Sequence, residues 1–256
     1  IILKRVENGG QGRARNIAID MARGDFLGFI DSDDWIDPSM YEKLWKRAAE
    51  TGADVVVCDW LIKHSDGHDQ VFPARVQDHW LAAAGSACNK IFRRSLVGDT
   101  RFPAGLWYED FYFSAMMLLK ARGVEYLEEP LYMYRQSQSS TMRNNNSAKN
   151  LDMLTILDML EEYMLPHGFR DELDFFIINH VLIDSINRVY RQKTPDRNQV
   201  LSRLRGYVRT KIPDLSHCPC YLRESRNRRI IARLNYDGLY AVSGLILEGK
   251  ALLTKS

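Results

Sequence analysis

Residues 26–38, FLGFIDSDDWIDP, decide how the rest of this chain is read. The apolar run Phe26-Leu27-Gly28-Phe29-Ile30 ends in Asp31-Ser32-Asp33-Asp34, three acids within four residues. A buried strand delivers carboxylates at its C-terminal end, where open α/β sheets hold their ligands. Three carboxylates so close repel unless a cation joins them, and hard divalent ions prefer oxygen. The expectation is a strand-end site for Mg²⁺ or Mn²⁺ facing a phosphate-bearing molecule. Asp37-Pro38 then opens a helix, with Asp37 as its cap and Pro38 at its first position.

Working outward, the first hundred residues alternate between strand and helix. Ile1–Val6 reads as a strand, Glu7 to Gly12 as a turn, and Arg13–Ala22 as a helix with Ile17, Ala18 and Met21 at helical spacing. Gly24 stops that helix before the acidic strand. A helix from Pro38 to about Glu50 ends at Gly52, and Asp54–Asp59 (DVVVCD) is a buried β run. This order predicts an α/β, doubly wound and mostly parallel sheet. Leu61–Pro73 reads as a hairpin around Ser65-Asp66-Gly67, and residues 86–96 as a short strand and a polar turn. Trp107 to Asp110 lead into an apolar helix reaching Ala121. Val124–Leu127 and Leu131–Tyr134 read as two strands separated by Glu128-Glu129-Pro130. Beyond the loop Asn144–Ser147, helices are expected near 148–165, 171–192, 196–210, 222–234 and 238–253. The domain boundary is placed at 142/143: an α/β domain over 1–142 and a helical region over 143–256. The opening Ile1-Ile2-Leu3 looks like the middle of a strand, so upstream sequence is expected to be missing.

At 256 residues the chain buries a sizeable core, and 45% hydrophobic and 27% charged residues with a mean hydropathy of -0.33 fit a soluble protein. No apolar run approaches the roughly 20 residues that span a bilayer. Net charge is +2, but Arg188 to Arg233 holds thirteen Lys/Arg against three Asp/Glu, leaving about -8 for the remainder. That asymmetry fits an anionic membrane surface or polyanion, and solvated helix faces account for it equally well. Cys58 reads as a core thiol, and all four cysteines as reduced. Cys218-Pro219-Cys220 beside His217 is too closely spaced for a zinc knuckle.

Four segments in order resemble the family 2 glycosyltransferases of GT-A fold. These are Asn8-Gly9-Gly10 with Ala14-Arg15-Asn16; Asp31-Ser32-Asp33-Asp34-Trp35 with Asp37-Pro38; Asn89-Lys90-Ile91-Phe92-Arg93-Arg94; and Arg101-Phe102-Pro103 with Tyr108-Glu109-Asp110. Glu129-Pro130-Leu131-Tyr132-Met133-Tyr134-Arg135 is similar to a closing segment of members that build bacterial polysaccharides. The likeness covers about residues 1–142. The family's first strand, loop, helix and acidic strand end have no counterpart here, which leaves the fold N-terminally truncated against the family pattern. Gln136, Ser139 and Ser140 follow Arg135 where processive synthases carry Gln-x-x-Arg-Trp, which implies transfer of one sugar at a time.

The resemblance implies an inverting, metal-dependent transferase that moves a sugar from a nucleotide donor, expected to be a UDP-sugar, to a glycan or lipid-linked acceptor. It assigns Asp33 and Asp31 to the metal and ribose, Arg15 and Arg135 to the nucleotide and diphosphate, and Asp110 to the base. Lys90, Trp107, Tyr108 and Glu109 fall to the sugar and acceptor. An N-terminal helix position lowers a carboxylate's pKa, so a base at Asp110 requires burial or Glu109 to offset that effect. The location implied is cytoplasmic, peripheral to the inner face of the membrane through the basic helices, with no nucleic-acid partner. Rival readings are testable on the residues. A calcium loop needs an acid or Asn at Trp35 and Gly at Ile36. A dehalogenase-type phosphatase needs Asp-x-Asp-Gly-Thr, and a dinucleotide fingerprint needs Gly at Arg15. A sugar-phosphate nucleotidyltransferase and a non-catalytic glycan-binding module remain as alternatives.

Overall fold

A computed structural model of the chain describes residues 1–64, 67–75, 79–136 and 146–253, with side chains as far as Leu247. The chain divides into two compact units, Ile1–Arg143 and Asn144–Ser256. The first is α/β. Its elements are helix α1 (Gly10–Met21), strands β1 (Phe26–Gly28) and β2 (Trp35–Ile36), α2 (Met40–Thr51), β3 (Val55–Lys63) and β4 (Asp69–Phe72). After a 3-10 turn at Trp80–Gly85 come β5 (Lys90–Arg93), α3 (Arg94–Val97), α4 (Glu109–Lys120) and β6 (Val124–Arg135).

The strands run in the order β1-β5-β3-β6-β2, with β4 paired to β3 beside this path. Here the sheet departs from the expected, mostly parallel arrangement. Among the described residues only β3 and β6 pair in parallel, and the four other pairings are antiparallel. The reason is physical: a run buried on both faces, such as VVVC, has the same hydrophobic pattern whichever way its neighbour runs. The two strands expected at 124–127 and 131–134 form one, bent where the register against β3 shifts at Asp59 and leaves Glu128 and Glu129 opposite no residue. Ile1–Val6 forms no strand. It is exposed throughout and lies beside no ladder partner, without which extended backbone has nothing to bond.

Side chains alternate across the sheet. Val56 and Cys58 of β3, Ile91 of β5 and Tyr132 of β6 pack with Met40, Leu44 and Ala48 of α2. Phe92 faces the other way, its ring 5.4 Å from Phe113 of α4, and Phe113 stacks on Phe102 at 4.1 Å. Helix α2 stops at Gly52, which takes the left-handed φ of 74° that its C-cap requires. At its start Asp37 binds the N–H and hydroxyl of Ser39, and the helix begins at Met40, two residues past Pro38. Gly28 has a packing reason: a Cβ there would lie 2.5 Å from the Tyr41 ring.

The second unit is helical: α5 (Asp152–Met164), α6 (Arg170–Phe176), α7 (Ile186–Arg191), α8 (Arg197–Lys211), α9 (Pro219–Arg223), α10 (Arg226–Asp237) and α11 (Tyr240–Leu253). A nine-residue π-helical stretch, Ile177–Ser185, joins α6 to α7. Helical spacing predicts one core-facing stripe of Phe175, Ile178, Leu182, Ile186 and Val189; the last four are fully buried and Phe175 is half-buried. All four cysteines are free thiols in buried positions. Among the described residues no helix is long and apolar enough to cross a membrane. Ser139, Ser140, Asn144 and Asn145 lie outside the described residues.

Candidate functional site

Arg15 is the hub. Helix α1 approaches the start of α4 closely because Gly12 has no side chain: a Cβ there would lie 3.1 Å from Glu109 Cγ and 3.3 Å from the Pro103 carbonyl oxygen. One residue past Arg15, Asn16 clasps Phe102 twice, donating to its carbonyl (2.9 Å) and accepting from its N–H (2.8 Å). Arg15 is thereby buried. Its Nη1 donates to Glu109 Oε1 at 2.9 Å, its Nη2 to Asp31 Oδ1, and its guanidinium sits 5.4 Å from the centre of the Phe102 ring. A buried cation is tolerable only when paired this fully. Glu109, buried by the same contact, faces Arg15.

The acidic turn is sorted by its partners. Asp31 goes to Arg15, and its N–H donates to the Tyr132 hydroxyl at 3.3 Å. Asp34 accepts from the Tyr132 hydroxyl at 2.7 Å and from the Arg135 N–H at 2.9 Å; burial raises its pKa. Asp33 is exposed and has no hydrogen bond or ion pair among the described residues. Tyr132, fully buried, is the organising residue that sequence reasoning missed. Its one signal was a polar aromatic in an apolar strand run, but its partners lie about a hundred residues upstream.

Asp110 stands at the second position of α4, partly exposed, its Oδ1 accepting from the Phe111 N–H at 2.8 Å. Burial and then the Glu109 carboxylate push it up to about 6, against the pull of Arg15 and the Phe111 N–H. The offset required of a carboxylate at a helix start is therefore present. The preceding Tyr108 has φ 68° and ψ 25°, the one non-glycine positive φ among the described residues, and caps α4 from that left-handed conformation. Such a conformation costs on the order of 1 kcal/mol and tends to gather at functional sites. Trp107 and Tyr108 meet edge to face, ring centres 6.5 Å apart.

Two expected members stand apart from this cluster. The Arg135 side chain is exposed and its guanidinium lies 5.6 Å from the centre of the Trp35 ring. Lys90 is fully buried, with its amine donating to the Ser86 carbonyl and, at 2.6 Å, to Asn89 Oδ1.

Hard oxygen donors suit Mg²⁺ or Mn²⁺, which take one or two carboxylates and complete their shell with phosphate and water. Asp33 has the accessible carboxylate for this; Asp31 and Asp34 are already engaged. Among the described residues no three His, Cys, Asp or Glu side chains enclose a metal position, so an ion here would share Asp33 with ligand oxygens.

Residues 1–113, which carry this cluster except for Tyr132, match glycosyl transferase family 2. The N-terminal unit is a family 2 glycosyltransferase domain. EpsH of Bacillus subtilis (strain 168) is 31% identical over 222 residues, covering 78% of this chain and 63% of EpsH. YibD of Escherichia coli (strain K12) is 29% identical over 165 residues, 57% of this chain and 48% of YibD. Both are named as glycosyltransferases. The chain thus spans less than two thirds of the length of these relatives. Among solved structures, Staphylococcus aureus TarS 1–349 in complex with UDP-GlcNAc superimposes with a TM-score of 0.70 at 20% identity, over 96% of this chain and 75% of that one. At that identity the likeness establishes the glycosyltransferase fold.

Proposed function

We propose that this domain is an inverting, metal-dependent glycosyltransferase that uses a nucleotide-sugar donor and a glycan or lipid-linked acceptor in surface-polysaccharide assembly. The observation that carries the reading is the continuous cluster Asp31–Arg15–Glu109 with Asp110 beside it, which joins a donor-side turn to a carboxylate poised near 6. Attack on the anomeric carbon forms a bond to the acceptor oxygen. The bond from that carbon to the diphosphate oxygen breaks, and its electron pair leaves with the diphosphate. The acceptor proton passes to Asp110, whose pKa lies close enough to neutrality to receive it and later release it. Entry opposite the leaving group inverts the centre through an oxocarbenium-like state. Arg15 holds Asp31 and Glu109 in place, and Asp33 offers its carboxylate to the ion. When bound, a divalent ion supplies Lewis-acid stabilisation of the diphosphate charge.

A UDP-sugar is the favoured donor, since TarS was crystallised with UDP-GlcNAc. Trp107 and Tyr108 present apolar ring surface suited to a sugar face. The exposed arginines of the second unit suit an anionic inner leaflet, and with it a lipid-linked acceptor.

The test is calorimetric titration of UDP with and without Mn²⁺, followed by turnover of UDP-GlcNAc and other UDP-sugars. Mn²⁺-dependent binding is expected, lost in Asp33→Ala and kept in Asp110→Asn. Asp110→Asn should lower turnover at least about a hundredfold, the usual scale for removing a general base. Unchanged Mn²⁺-dependent binding in Asp33→Ala would remove the metal assignment, and an active Asp110→Asn would remove the base.

A further inference from the structure

Helix α11 is mounted the wrong way round for a helix that packs on a core. The face it turns toward the rest of its unit carries small and polar residues. Ser243 is fully buried, and its hydroxyl donates to Asn187 Oδ1 of α7 at 3.0 Å. Gly244 lets the helix come close to Tyr190, since a Cβ there would lie 3.3 Å from the Tyr190 ring. The large aliphatic side chains face solvent. Leu239, just before the helix, is 51% exposed, Val242 46% and Leu245 69%. Spaced by three residues, they fall on one side of the helix, with exposed Ala241 between them. One exposed leucine needs no explanation, but a contiguous aliphatic face opposite a polar one marks a surface that something covers.

The charges around the start of α11 indicate what covers it. Arg205 of α8 packs against Gly238, where an added Cβ would meet Arg205 Nη1 first. Arg209, one turn along α8, donates to the Tyr236 carbonyl at 3.1 Å and lies 5.0 Å from the centre of that ring. Arg197 sits 5.6 Å from the centre of the Tyr190 ring. Tyr190 in turn meets Tyr240, the first residue of α11, with ring centres 6.2 Å apart. None of these three guanidinium groups has a carboxylate partner among the described residues. The neighbouring acid, Asp237, is already held by Arg233 at 2.7 Å. A second copy docked on this face would bring the same cations together, and they repel. Anionic lipid headgroups would neutralise them.

We propose that the outer face of α11 is a bilayer-contact surface. Leu239, Val242 and Leu245 enter the boundary between headgroups and acyl chains of an anionic leaflet, and Arg197, Arg205 and Arg209 meet its phosphates. The helix lies on the bilayer and does not cross it: it has 14 residues, where crossing takes roughly 20. Three aliphatic side chains hold only weakly, so both signals are needed, and salt that screens the arginines releases the chain. The contact is independent of sugar transfer. An inactive Asp110→Asn chain makes it equally well, which separates it from the assignment of the base.

Co-sedimentation of the whole chain with phosphatidylcholine vesicles, with and without phosphatidylglycerol, measures the binding, and light scattering measures the size of the free chain. Leu245 is exposed, so Leu245→Gln should keep the melting temperature of the unmodified protein. It is expected to weaken binding to the phosphatidylglycerol vesicles about tenfold, the worth of withdrawing one leucine from an apolar phase. A polarity-sensitive fluorophore on Val242→Cys should shift to the blue on those vesicles and be quenched by lipids that carry a quencher on the acyl chain. If Leu245→Gln binds as tightly as the unmodified chain and the fluorophore stays unquenched, the proposal is overturned and the arginines act alone. A free chain that forms dimers, separated by Leu245→Gln, would overturn it too, because a second copy would then be the cover. Failure to bind either vesicle overturns it as well.

Discussion

Asp110 carries two opposed consequences of one placement. Burial and Glu109 make its charged form costly in the folded protein, and a base needs that charged form to act. Its folded pKa of about 6 lies above the ordinary 3.8, so the folded state holds the proton more tightly than the unfolded one. Stability contributed by this group is therefore full below the unfolded value and is lost as pH rises through about 6. Transfer should behave in the opposite way, falling as pH drops below about 6 and levelling above it. Asp110→Asn should accordingly raise the melting temperature at pH 7.5, leave it nearly unchanged near pH 4, and abolish transfer at both. Paired calorimetric melts at the two pH values check this. A lower melting temperature at pH 7.5 would mean that the Phe111 N–H bond outweighs the charge it caps. Asp31 and Asp33 were singled out by an acidic run that follows an apolar strand, and Arg15 and Asp110 by the family resemblance. Their partners were not: Tyr132 joins Asp31 to Asp34 across about a hundred residues, a contact that no local pattern encodes.

At the scale of elements, helices and strands were readable where periodicity and punctuation agree, as in α2 with Gly52 at its end or VVVC in β3. Strand direction was not readable, because a doubly buried run has no polar face to orient it. The bend in β6 shows what such local reading misses. Glu128-Glu129-Pro130 reads locally as a separator of two short strands, whereas the chain keeps its pairing to β3 on either side of a shifted register. The contact of α1 with the start of α4 is a second case, since it depends on what Gly12 lacks. Gly12→Ala tests it. In a helix the change gains up to about 1 kcal/mol from propensity, while crowding Glu109 and the Pro103 carbonyl costs about 1 kcal/mol or more. Those terms nearly cancel, so the melting temperature should move little. The Arg15–Glu109 pair must shift by a few tenths of an ångström to admit the methyl group, and UDP binding should weaken several-fold. A variant that loses stability and affinity together would place Gly12 in general packing instead.

For the whole molecule, charge is the property that sequence exposes most directly and structure revises most. Of the thirteen basic residues between Arg188 and Arg233, at least four are paired within their unit: Lys211 with Glu161 and Asp158, Arg223 with Asp171, Arg228 with Glu224 and Arg233 with Asp237. Three of these four acceptor sets lie outside that stretch, so its effective charge is smaller than its composition implies. What stays exposed without such a pairing includes Arg191, Lys193, Arg203, Arg209 and Arg226. Each basic side chain near an anionic bilayer contributes about 1 kcal/mol, and the attraction fades within a Debye length of roughly 8 Å at physiological salt. A handful of exposed arginines thus predicts weak, reversible binding to vesicles containing phosphatidylglycerol and none to purely zwitterionic ones. Co-sedimentation should show that binding lost at high salt and reduced by Arg191→Gln with Arg203→Gln. Binding that survives high salt would point instead to exposed apolar side chains of this unit such as Leu222 and Ile230. No binding to either vesicle would leave the basic helices as solvated surface and direct attention to a soluble glycan acceptor.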